Sequence, residues 1–230
     1  MQKVLYTAVG LGYMSPDIAV VEFVMKQKNT IWEFTELLII AGILAVVIRL
    51  FIVSAYKIPS GSMLETLQIG DYLLVTRFNY DIKIPFTDTS IISTGDPEYG
   101  DIMVFRYPRD PKQDFIKRLI GKPGDTIELR DKMVFRNGKK INEPYTRFSD
   151  PGSRVFGKDT TAPFTVPADM YFMMGDNRDE SMDSRDWGFV PREYLQGKAW
   201  IIYWSWASFT DIRWGRIGTI LYPDKSLTGS

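Results

Sequence analysis

The stretch LLIIAGILAVVIRLFIVSAYKIPSGSM, residues 37–63, passes from a greasy run to a polar turn within a few positions. Its first 20 residues, 37–56, are interrupted only by Arg49. At about 1.5 Å per residue such a run spans about 30 Å as a helix, the thickness of a bilayer core. Arg49 sits past the middle, where a long side chain snorkels to the headgroups instead of meeting the cost of about 3 kcal/mol at the midplane. The run is too long for the apolar part of a removable signal peptide. The expectation is therefore a transmembrane helix over 36–56, preceded by a cytoplasmic segment, 1–35. Lys3, Lys26 and Lys28 lie before the run and Lys57 after it, which favours a cytoplasmic N-terminus and an exported remainder.

Downstream of Lys57 the apolar period shortens to that of strands. DYLLVTRF (71–78), GDIMVFRYP (100–108), DFIKRLIG (114–121), DTIELRD (125–131), KMVFRNGKKIN (132–142), MYFMMG (170–175) and AWIIYWSW (199–206) are short, rich in β-formers and bounded by turn residues. Asn137-Gly138 is the strongest hairpin signal. Residues 57–230 thus read as one extracytoplasmic, mainly β domain, with polar insertions near 79–99 and 146–169. Trp200, Trp204, Trp206 and Trp214 suit either a strand core or a lipid interface.

Composition narrows the chemistry. Lys plus Arg and Asp plus Glu stand at 28 each, so nothing points to nucleic acid. The chain has no cysteine and no histidine. Disulfides, thiolate catalysis and the common zinc sites are excluded, and the usual neutral-pH base is missing. No metal or cofactor is expected. In GDNRDESMDSRDWG (175–188) a calcium loop fails, because the EF-hand spacing breaks at Arg178.

The turn after the greasy run carries Ser60 and Ser62. A serine hydroxyl attacks only when a base removes its proton. Without histidine the candidates are a carboxylate or an unprotonated lysine, whose pKa of about 10.4 must be lowered by burial or by neighbouring cations. Most of the lysines stand in polar company. Lys117 stands in DFIKRLIG, where alternation puts it on one face with Phe115 and Leu119 and puts Ile116, Arg118 and Ile120 on the other. The bland alternatives are a solvated strand lysine and a turn-capping hydroxyl. Ser181, Asp183 and Arg185 alternate as well, so an extended segment would point all three one way, with Asp183 and Arg185 pairing to brace Ser181 near Lys117.

IPSGSM after a membrane span, then GDIMVFRYP, DFIKRLIGKPGD and GDNRDESMDSRDWG in that order, resemble the bacterial type I signal peptidases over about residues 32–220, including the late RWGRIG. That resemblance implies a signal-peptidase-like β-rich catalytic domain behind a single transmembrane helix. It also implies a serine endopeptidase that cuts signal peptides from exported preproteins. By position it makes Ser62 the nucleophile and Lys117 the base. Ser60 joins the Ser62 N–H as oxyanion hole, Ser181 orients the amine, and Asp183 and Arg185 hold the loop. It assigns substrate binding to Tyr56, Ile58, Leu67, Leu73, Val104, Phe115 and Ile116. The implied partners are signal-peptide-bearing preproteins and membrane lipid, and the implied state is a monomer. The implied location is the inner membrane, single-pass, with catalysis on the periplasmic side. Glu180 and Tyr99 depart from the family pattern. The alternative from another class is a membrane-tethered β domain that binds a partner without chemistry.

Overall fold

The computed structural model describes residues 16–76, 81–83, 90–93, 95–150, 152 and 158–222; side chains are described for 30–47, 49, 52–76, 95–150, 152 and 158–222. The chain divides into two compact units, Met1–Ile48 and Arg49–Ser230. The first is dominated by helix α1, Pro16–Phe51. Within it Thr30–Val47 has a mean hydropathy of 1.9 and none of its surface is buried. Apolar side chains cover this stretch on every side, the pattern of a helix meant for lipid rather than for one protein face.

The expected helix over 36–56 is corrected at both ends. It begins at Pro16, well inside the segment 1–35, and stops at Phe51. Val53–Lys57 forms strand β1 instead, paired with β2 (Asp71–Thr76) in the register Val53↔Thr76 to Lys57↔Tyr72. Ile52, Val53 and Tyr56 are β-branched or aromatic, so pairing with a neighbour overrides the uniform apolarity that suggested helix.

The second unit is mainly β. After β1 and β2 come β3 (Asp81–Lys83), β4 (Ser90–Ser93), β5 (Ile102–Tyr107), β6 (Asp110–Gly121), β7 (Thr126–Arg130), β8 (Met133–Arg136) and β9 (Lys139–Lys140). They are followed by β10 (Phe164–Thr165), β11 (Met170–Met174), the one-turn helix α2 (Ser184–Trp187), β12 (Val190–Pro191), β13 (Leu195–Ser208) and β14 (Asp211–Ile212). A large antiparallel sheet runs β1-β2-β13-β5-β6-β11-β12, with β14 on β13. A small sheet runs β10-β7-β8-β9, and β3 pairs with β4 inside the expected insertion at 79–99. Residues 79, 80, 84–89 and 94 of that insertion, and residues 151 and 153–157 of the other one, fall outside the described residues.

Alternation decides what each strand buries. On β5, Ile102 and Val104 join Ile58, Met63, Leu67, Leu73 and their neighbours in one core cluster, whereas Met103 and Phe105 join Leu119 and Tyr171 in another. The small sheet closes over Ile120, Ile127, Leu129, Val134 and Phe172. Its tip is the Asn137-Gly138 turn, with φ of 55° and 79°, the left-handed pair that a two-residue hairpin requires.

Candidate active site

Ser62 lies in the turn between β1 and β2. Ile58 closes the base of that turn: its N–H donates to the Asp71 carbonyl at 2.8 Å and its carbonyl accepts from the Gly70 N–H at 3.0 Å. Met63 and Leu67, both fully buried, nail the turn to the core. Asp71 is the anchor on the polar side. Its carboxylate accepts from Ser205 Oγ at 2.6 Å, the Gln68 N–H at 2.8 Å and Arg216 Nη2 at 2.6 Å. Burial alone would raise the Asp71 carboxyl, but the bonds from Arg216 and Ser205 hold it below the usual carboxylate range. Arg216 also donates to the Thr66 carbonyl at 2.9 Å, and Arg213 donates to Gln68 and to the Ile69 carbonyl at 2.7 Å each. The RWGRIG segment is thus a brace for the serine turn, a role that its place far down the chain did not disclose.

Lys117 stands in the middle of β6, opposite Met103 of β5, and is 3% exposed. Its Nζ donates to Ser62 Oγ at 2.7 Å and to the Ile116 carbonyl at 3.0 Å, and it lies 5.3 Å from the Phe115 ring centre. Burial pushes the amine from 10.5 down to about 8, against the opposing pull of Asp183 and Asp176. Each carboxylate is neutralised by an arginine. Asp176 receives Arg118 Nε at 2.8 Å and Nη2 at 2.6 Å, and Asp183 receives Arg185 Nε and Nη2 at 2.8 Å each. For Asp183 too, burial acts to raise the carboxyl and is outweighed by Arg185. Arg118 stacks on Tyr145 at 3.9 Å. Its pairing with Asp176 had no local signal, since the partners are 58 positions apart.

The loop after β11 completes the site. Gly175 has no room for a side chain: a Cβ there would lie 2.5 Å from the Ser62 carbonyl oxygen and 2.6 Å from the Ser181 Cβ. The Asn177 N–H donates to the Ser62 carbonyl at 3.1 Å, and its side-chain amide donates to the Gly61 carbonyl at 3.1 Å. These two residues carried no expected chemistry, and they are what holds the serine turn against the loop. Ser181 is 1% exposed. Its Oγ makes no well-formed hydrogen bond, to the Lys117 amine or elsewhere, and it lies beside the Asp183 carboxylate, helping to hold the charge. The expectation of an extended 181–185 segment is corrected. Asp183 caps α2 through a reciprocal pair with Asp186, so Arg185 folds back on it along a helical turn.

Of the expected binding residues, Tyr56, Ile58, Leu67, Leu73, Val104 and Ile116 fall in one cluster, and Phe115 falls in the next, stacked on Tyr107 at 4.5 Å. Leu67 and Leu73 are fully buried, so only the partly exposed Tyr56 and Ile116 present surface from that set. Ser60 is exposed, two positions before Ser62.

A buried lysine bonded to a serine, in a mainly β unit behind an apolar helix, defines a class: serine peptidases without histidine. Residues 31–204 match the family model described as signal peptidase, peptidase S26. The chain is 37% identical to signal peptidase I of Pseudomonas aeruginosa over 83% of its length and 78% of that protein's. It is 39% identical to probable signal peptidase I-2 of Synechocystis sp., over 77% and 75%. It is 34% identical to signal peptidase I P of Bacillus subtilis subsp. natto, over 81% and 96%. The crystal structure of a signal peptidase I from Enterococcus faecalis aligns at 37% identity with a TM-score of 0.38, covering 45% of this chain and 97% of that one. The chain belongs to the bacterial type I signal peptidases, hydrolases of the serine peptidase type.

Proposed function

We propose that this protein is a membrane-anchored endopeptidase that removes signal peptides from exported preproteins, with Ser62 as nucleophile and Lys117 as base. The observation that carries this reading is the 2.7 Å contact between Ser62 Oγ and a lysine sealed from water, in a chain with no histidine. In its neutral form the Lys117 amine accepts the Ser62 proton as Oγ attacks the scissile carbonyl. The Ser62 N–H and the Ser60 hydroxyl face the developing oxyanion, where one such donor contributes about 3 kcal/mol. Lys117 then passes the proton to the leaving amine, and a water activated by the same nitrogen releases the acyl group. Asp183 with Arg185 and Asp176 with Arg118 keep fixed, compensated charges around the amine.

Specificity follows from steric exclusion: shallow apolar depressions presented by the partly exposed Tyr56, Phe115 and Ile116, backed by the buried Ile58, Leu67, Leu73 and Val104, admit small side chains at −1 and −3 and reject larger ones. The helix anchors the enzyme in the inner membrane with residues 57–230 on the periplasmic side. Substrate and enzyme then share one plane, which raises their effective concentration. Lipid contact by the catalytic unit is supported by Phe209 at 87%, Tyr222 at 71% and Trp214 at 68% exposed, aromatic rings of the kind that settle at headgroup level.

The deciding experiment compares cleavage of a signal-peptide-bearing precursor in detergent by the wild type and by Ser62→Ala. Loss of at least about a thousandfold in the variant is expected. Equal cleavage by both would remove Ser62 from the chemistry, and cleavage by neither would leave a partner-binding module as the better description. Lys117→Arg is expected to be inactive as well, because a guanidinium does not give up its proton.

A further inference from the structure

The loop that closes on the dyad is gripped from behind by a segment that carries none of the reacting groups. Arg147 pairs in parallel with Asn177 across this junction. Its N–H donates to the Asp176 carbonyl at 2.8 Å, and its carbonyl accepts from the Arg178 N–H at 2.9 Å. That short ladder brings Glu143 against the Arg178 guanidinium. Nη1 donates to Glu143 Oε2 at 3.0 Å and Nη2 donates to Oε1, a two-pronged pair with side chains 1% and 8% exposed. A guanidinium held this way has its plane fixed, and its third donor direction with it. That donor, Nε, points to the Gly175 carbonyl at 3.1 Å. On its other side Gly175 gives its N–H to Asp183 Oδ2 at 3.0 Å. The residue with no spare room against Ser62 is therefore tethered at both its polar groups, and one tether leads to Glu143.

We propose that Glu143 is a positioning residue of the Ser62–Lys117 dyad: by aiming Arg178 at the Gly175 carbonyl it fixes the wall against which the serine turn rests. A buried ion pair is often replaceable by apolar groups of similar size without loss of stability. A purely structural pair would tolerate that replacement, whereas a positioning pair would not, because the Gly175 carbonyl would lose its donor. Displacement of reacting groups by about 1 Å is enough to lower turnover about a hundredfold. The inference rests on the dyad reading above.

The test uses the full-length protein in detergent and one precursor. It measures kcat, KM and melting temperature for Glu143→Gln and for Glu143→Met combined with Arg178→Met. Glu128→Gln, which removes the surface pair with Arg130 on the small sheet, is the control and keeps wild-type kcat. Glu143→Gln is expected to lower kcat about 10- to 100-fold with KM within about twofold. The double variant is expected to melt near the wild-type temperature while kcat stays as low. Recovery of kcat in the double variant, failure of that variant to fold, or a kcat in Glu143→Gln that falls only with its folded fraction would each overturn the inference. Ser62→Ala is run alongside. Retained cleavage there sinks the dyad reading and this inference with it. Loss there, together with full kcat in the double variant, sinks this inference alone.

Discussion

In the proposed mechanism Lys117 is the residue on which the chemistry turns, and its burial has two measurable consequences. With the amine at about 8, the limb of kcat/KM that reports it is expected to rise through about pH 8 and level off above, about two units below a free lysine. A limb near 10.5 would show a hydrated lysine, and the absence of any such limb an idle one. The second consequence concerns stability. A lysine whose folded pKa lies below its unfolded one binds fewer protons folded than unfolded between those two values, so stability rises with pH across that window. Below pH 8 the fold must carry a buried ammonium, at a cost of about 3 kcal/mol for a shift of this size. Lys117→Met is therefore expected to be inactive yet more stable than the wild type at pH 7. That advantage should shrink as pH approaches 10.5, and denaturant titrations at both pH values read it directly. The contact between Ser62 and Lys117 was legible beforehand because each leaves a local mark: a polar turn behind a greasy run, and a charge at an apolar strand position. Arg118 with Asp176 and Glu143 with Arg178 leave none, because a salt bridge between distant positions looks like two solvated charges until the chain folds.

Elements were legible where one period ruled. The alternation in 114–121 places Phe115 and Leu119 in one core cluster and Ile116 and Ile120 elsewhere, as observed, and Asn137-Gly138 forms the tight turn its residues demand. Two errors have one origin. Apolarity carried the expected helix to Tyr56, and simple alternation kept 181–185 extended. Strand pairing at Val53–Lys57 and the Asp183 cap decide otherwise, and both depend on partners beyond the local window. The two kinds of glycine give a matched prediction. Gly138→Ala meets open space and bears only the left-handed backbone cost of about 1 kcal/mol, so kcat should hold while the melting temperature drops. Gly175→Ala drives a methyl into the Ser62 carbonyl and should lower kcat about a hundredfold or more, with KM little changed. Equal kcat in both variants would separate Gly175 from catalysis.

For the molecule as a whole, composition foretold a mainly β unit behind an apolar helix, because mean hydropathy and strand alternation are summed over many residues and survive local misreadings. Whether the tryptophans belong to the core or to a lipid interface was not readable, since a tryptophan in a core strand and one at a headgroup have the same neighbours in sequence. Replacing Phe209 and Trp214 by serine is expected to leave turnover of a soluble peptide unchanged and to slow, severalfold, a precursor embedded in vesicles. Equal effects on both substrates would assign those rings to packing. The brace on the serine turn has a temporal meaning too. Arg216 grips Thr66 and Asp71 across 150 and 145 positions. A ribosome adds the Ser62 hydroxyl long before it adds Arg216. A nascent chain stalled between the two holds an unsupported hydroxyl, so on the proposed mechanism proteolytic power waits until Arg216 has been added.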